Sequence, residues 1–129
     1  MIYKIDISEK DNLLTITPEG IYSMNKILDL VHIVIENPLF KPTTNLIIDI
    51  RAVKYTPVIS EIFSISEFFV SMKKHFKGKT AIVVQGDVFY NMFKLSTMFV
   101  AKQGLKSNIF RDMEKALAWL AVPDSIELN

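Results

Sequence analysis

The chain has 129 residues, 50% of them hydrophobic and 22% charged, with 15 basic against 14 acidic residues and a formal net charge of +1. That length suits one domain with an ordinary core, the composition excludes a disordered chain, and the charge balance provides no broad positive field to draw nucleic acid or an anionic membrane. The chain contains no cysteine, which excludes disulfides, thiolate catalysis and thiolate-held zinc and suits a reducing, cytoplasmic setting.

Residues 2–7 and 13–17 each alternate apolar with polar side chains, and Glu9-Lys10-Asp11-Asn12 between them is a turn-forming cluster, so the first two strands are predicted to pair as a hairpin. The charged, alternating start is unlike the continuous apolar core of a secretory signal. No apolar run approaches the roughly 20 residues of a membrane span. Pro18 and Gly20 end the second strand. Ser23 then caps a helix whose apolar residues Met24, Ile27, Leu28, Val31, Val34 and Ile35 step by three and four, and Asn37-Pro38 stops it.

Leu46-Ile47-Ile48-Asp49-Ile50 is an unbroken apolar run apart from one carboxylate, the pattern of a central parallel strand covered on both faces. Thr56-Pro57 reads as the N-cap and first residue of a second helix running to Phe76, closed by Gly78 as a left-handed cap. Residues 80–84 form another central strand, and Gly86-Asp87 supplies a turn and the N-cap of a third helix from about residue 88 to 102. In that helix the polar residues Asn91, Lys94, Thr97 and Lys102 form only a narrow stripe. Gly104 ends it. Residues 105–110 are interrupted by Lys106, Ser107 and Asn108 and read as an edge strand, after which Asp112 caps a last helix with Met113, Ala116, Leu117 and Leu120 on one face. The expected architecture is a single α/β domain over residues 1–122, ordered β-β-α-β-α-β-α-β-α, with a mostly parallel mixed five-stranded sheet, four helices and a short tail at 123–129.

This order, Gly20 after the second strand, Asp49 in the third, and above all the closing string Ile109-Phe110-Arg111-Asp112-Met113-Glu114-Lys115-Ala116-Leu117-Ala118-Trp119-Leu120 resemble the SpoIIAA-like family of the STAS (sulfate transporter and anti-sigma factor antagonist) fold. Anti-sigma factor antagonists of that group carry an Asp-Ser-Ser-Gly motif after the third strand, with a phosphorylatable serine at the start of the second helix. Here Tyr55-Thr56-Pro57-Val58-Ile59-Ser60 occupies the place, and Val58 or Ile59 stands where the serine is expected. The resemblance thus implies the fold without the switch. It also allows an apolar ligand, since lipid-transfer proteins are often grouped with this fold.

No catalytic constellation is present. Asp49 is expected to accept hydrogen bonds from the turn around Arg51, a structural polar role. His32 and His75 have no carboxylate at ligand spacing, so no metal site is expected, and the serines of the second helix lack a paired base. Phe63 and Phe68 fall outside the regular apolar face of the second helix, and the third adds Phe89, Tyr90, Met92, Phe93, Met98 and Phe99. The candidate binding residues are therefore Phe63, Phe68, Tyr90, Phe93, Thr56 and Ser60. They point to a non-enzymatic binding module without a cofactor, using the surface of the second and third helices for a protein partner or a second copy, or holding a lipophilic molecule between those helices.

Overall fold

The structure is a computed structural model that describes residues 1–54 and 58–123. Thr56 and Pro57, expected to open the second helix, lie outside those residues, as does the tail beyond Pro123.

The alternation at the start of the chain becomes β1 (Ile2–Ser8) and β2 (Leu13–Gly20), antiparallel with Ile5 opposite Ile16 and Ile7 opposite Leu14. Asn12 turns the corner at φ 53, a left-handed position that asparagine tolerates, and its amide side chain donates to the Thr43 carbonyl at 3.0 Å. Helix α1 (Met24–Glu36) begins where the Ser23 hydroxyl accepts from the Lys26 amide, and it ends at an extended Asn37 before Pro38.

The chain continues through β3 (Asn45–Asp49), β4 (Ala52–Val53), α2 (Ile59–Ser71), a 3-10 turn (Lys73–His75), β5 (Lys79–Val83), α3 (Asp87–Lys102), β6 (Lys106–Phe110) and α4 (Met113–Ala121). The sheet order is β1-β2-β3-β5-β6, with β3 and β5 central and β6 at the edge. Every pair except β1 with β2 is parallel. The unbroken apolar runs therefore do lie inside and the polar one outside, as the sequence predicts.

Several details differ from expectation, among them that β2 runs on through Pro18, opposite Tyr3, to Gly20, and that the N-cap of α2 is Val58 rather than Thr56. The sheet gains a sixth strand, because Ala52–Val53 pairs with Glu19 and Gly20 beyond the end of β3; two residues are too few to carry a periodicity. Helix α2 stops at Ser71 and hands over to the 3-10 turn, so Phe76 packs from an irregular segment. Gly78 is not left-handed. It is demanded by crowding, since a Cβ there would lie 2.5 Å from the Thr44 carbonyl oxygen where the chain is tied down by Pro42. At α3 the cap is Gly86 itself, at φ 87, while Asp87 is the first helical residue and pairs with Arg111.

The pleat sends alternate side chains to two layers. Leu14, Ile16 and Leu46 face α1, α2 and α3 and join Leu30, Val34, Phe76 and Val100 in the larger core. Ile47, Ala81 and Val83 face the other way and pack with Ala116 and Leu120 of α4. Buried Lys79 fastens that helix, donating to the carbonyls of Trp119 (3.1 Å) and Val122 (2.6 Å) while its ammonium lies over the Trp119 ring.

Candidate functional site

On the three-helix side the packing leaves a cavity of about 120 Å³. Its floor is the sheet (Ile16, Leu46, Ile48, Ile82), and its roof is made by Ile62 and Phe69 of α2 with Phe93 and Val100 of α3. It reaches toward the carboxyl ends of the parallel strands at Pro18, Ile50 and Val53, the edge where such sheets gather ligands. An engineered apolar cavity of about 150 Å³ stays dry and takes benzene, so this space suits a small apolar group rather than a drug-sized molecule, which needs about 300 Å³ or more.

No charged side chain lines the cavity among the described residues, and its few polar groups are hydroxyls. Two of them meet across the roof. Ser66 sits in step with Ile62 and Phe69 on the inner stripe of α2, and Ser96 with Phe89, Phe93 and Val100 on that of α3; they are 3% and 7% exposed. Their oxygens are 2.5 Å apart, and the Ser66 hydroxyl also donates to the Ile62 carbonyl at 2.8 Å. In the sequence Ser66 is one of the second-helix serines without a paired base, and no motif there singles out Ser96. The available signal was a serine on the apolar stripe of each of two helices.

At the carboxyl edge of the sheet, the buried Asp49 receives the Arg51 backbone amide (3.1 Å) and its guanidinium in a forked contact (2.9 and 2.9 Å). Burial pushes the Asp49 carboxyl up, but the Arg51 side-chain and backbone hydrogen bonds and its charge together outweigh that and hold it below the ordinary value of 3.8. The same hydrogen bond raises Arg51. The open cleft beside it, lined by Ile2, Glu19, Gly20, Arg51, Ala52 and Lys54, therefore contains a cation already engaged by a carboxylate. Further along, Arg111 pairs with Asp87 at 2.7 Å and lies 4.1 Å from the centre of the Tyr90 ring, a solvated contact.

No family model matches the sequence, and no curated protein does. Among solved structures the chain is similar to an uncharacterized protein of the DUF3478 family with a SpoIIAA-like fold from Shewanella loihica PV-4, at 20% identity over 93% of each chain and a TM-score of 0.62. The fold is SpoIIAA-like. At that identity the likeness carries the architecture alone.

Within this SpoIIAA-like frame the predicted site residues do not converge on one surface. Phe93 lines the cavity and stacks on Phe89. Phe63 packs edge-on against Phe99 at 5.7 Å, which props α2 against α3. Phe68 turns toward α1 and meets the His32 ring at 5.7 Å. Tyr90 serves Arg111 and Lys94, and Ser60 is exposed, with its carbonyl accepting from Ser64. Thr56 lies outside the described residues. Thr97, expected on the polar stripe of α3, is buried because its hydroxyl donates to the Lys94 carbonyl of its own helix. The large apolar residues that α3 does expose are Val88 (58%), Leu95 (50%) and Met98 (55%). Among the described residues no group of three or more His, Asp or Glu side chains could hold a metal, and no helix is long and apolar enough to cross a membrane.

Proposed function

We propose that this protein is a non-enzymatic, cytoplasmic binding module that holds a small apolar molecule between α2, α3 and the sheet. The observation that carries the reading is the cavity of about 120 Å³, whose walls combine Ile48, Ile82, Phe69 and Phe93 with no charged side chain among the described residues. Such walls reward apolar surface, at about 25 cal/mol per Å² removed from water, and among the described residues offer no His, Asp, Glu or Lys side chain to activate a nucleophile or move a proton. The start of α2 supports a passive role: Val58 and Ile59, both exposed, occupy the place of the phosphorylatable serine of anti-sigma factor antagonists, so phosphate does not switch this chain there.

An NMR titration of the labelled protein with benzene tests the reading. Saturable shifts around Ile48, Ile82 and Phe93, abolished by Ile82→Phe, are expected. Benzene causing only uniform, non-saturating shifts would overturn it.

A second reading rests on α3, which turns Ser96 and Thr97 inward and Leu95 and Met98 outward. Exposed apolar side chains on one helix favour contact with a protein partner, and a second copy of the chain meets that need with no further component.

A further inference from the structure

The Ser66–Ser96 pair gives the cavity a polarity of its own. A hydroxyl has one proton to donate and can accept twice. Ser66 donates its proton to the Ile62 carbonyl at 2.8 Å, so the contact of 2.5 Å between the two serines is made by the proton of Ser96. The chain of donation runs from Ser96 to Ser66 to the backbone of α2, and it begins at an oxygen with accepting capacity and no proton left to give. That oxygen belongs to a residue that is 7% exposed and lines the cavity. Water reaches it poorly, so a ligand able to donate there gains a hydrogen bond that solvent does not already supply.

Charge narrows the class further. Bringing a carboxylate or an ammonium group between walls that hold no charged side chain among the described residues costs more than the apolar contacts return. The volume limits the buried part to about the size of benzene.

We propose that the cavity takes a neutral, compact apolar ligand carrying one O–H or N–H donor, received by Oγ of Ser96. This inference rests on the apolar-cavity reading above and adds the polarity of the contact. Phenol, toluene and anisole are the probes, because they share the ring and differ in the attached group: a donor, neither donor nor acceptor, and an acceptor without a donor.

Dissociation constants are measured by NMR titration of the full chain with each. Phenol is expected to bind about two- to tenfold more tightly than anisole, the range of one neutral hydrogen bond. In Ser96→Ala that advantage should disappear while toluene still binds. Ser66→Ala supplies an independent reading if the first variant fails to fold. It removes the acceptor of the Ser96 proton and frees that proton for a ligand, so the preference should move toward anisole. Toluene binding with anisole equal to or tighter than phenol in the wild-type protein would overturn the donor claim and leave the apolar cavity standing. Failure of all three probes to bind would overturn both.

Discussion

The two faces of the sheet are filled by different means. On one, a single helix suffices: Ala81 and Ala116 are small enough for α4 to lie close, and Ile47, Val83 and Leu120 complete the buried layer. On the other, three helices and several phenylalanines still leave space over Ile48 and Ile82. More apolar side chain has been brought to the second face, yet it holds the cavity. The difference lies in what holds the helices. Helix α4 is pulled onto the sheet by Ala116 and by Lys79, whereas α2 and α3, which also pack on the sheet, are in addition tied to each other by the Ser66–Ser96 contact and the Phe63–Phe99 pair. Two helices braced against one another span the sheet like a roof. The face under α4 is the closed one, and the face under α2 and α3 is the open one that carries the cavity.

Neighbouring residues of one strand offer the sharpest way to break this contrast. Ile47→Asp places a carboxylate where the native side chain is buried among Ala81, Val83, Ala116 and Leu120; the cost of several kcal/mol is comparable with a total stability of about 5 to 15. Loss of soluble, folded protein is expected by circular dichroism, and a soluble variant with an unchanged melting temperature would contradict the closed-face description.

Enlarging side chains tests the same contrast more gently. Ala81→Leu on the closed face should cost about 1 to 3 kcal/mol by overpacking, whereas Ile82→Phe on the next residue projects into the cavity and should change stability by less than about 1.5 kcal/mol. Urea unfolding measures both. Equal penalties would mean that the two faces are packed alike.

The strand pattern and most helix ends were legible in the sequence because their causes are local. Continuous apolar runs marked β3 and β5, and Ser23, Asn37-Pro38, Gly104 and Asp112 marked ends that the structure keeps. What stayed hidden depended on contacts distant along the chain. Gly78 looked like a helix cap, but its reason is the Thr44 carbonyl across a loop. The two-residue β4 exists only because β2 is there to pair with it. At the candidate site, periodicity set Phe63 and Phe68 apart from the main stripe of α2 without saying that one meets α3 and the other α1. The space beneath Phe93 is a property of how three helices lean, which no single stretch encodes.

Acid should act through the sheet edge rather than through either face. The Asp49 carboxyl is held below its ordinary value of 3.8, so the folded state favours ionisation more than the unfolded chain does. A lowered folded value means that the stabilisation is complete above the unfolded value and fades as pH falls through the folded one. Unfolding followed from pH 5 downward should show this loss beginning near pH 4. Asp49→Asn should flatten that limb at the expense of stability at neutral pH, where the forked contact with Arg51 is lost. An unchanged acid limb in the variant would assign the loss to other carboxylates.

The smallest change in stability belongs to the outer surface of the open face. Leu95 and Met98 are 50% and 55% exposed, so replacing both by glutamate removes little buried contact and should move stability by no more than about 1 kcal/mol. Assembly is where the substitution should register. If the braced helices serve a second copy of the chain, the wild-type protein sediments as a dimer, and Leu95→Glu with Met98→Glu gives a folded monomer, since two desolvated carboxylates per subunit oppose closure of an apolar contact. Phe93→Glu would not make this distinction, because Phe93 lines the cavity and a charge there disturbs binding and packing together. Pairing the surface variant with the benzene titration separates the two uses of the open face. A monomer that still binds benzene places the ligand beneath the roof and the partner on top of it. A wild-type protein that remains monomeric at several hundred micromolar removes the second copy from the account, and the benzene titration alone then decides the use of the cavity.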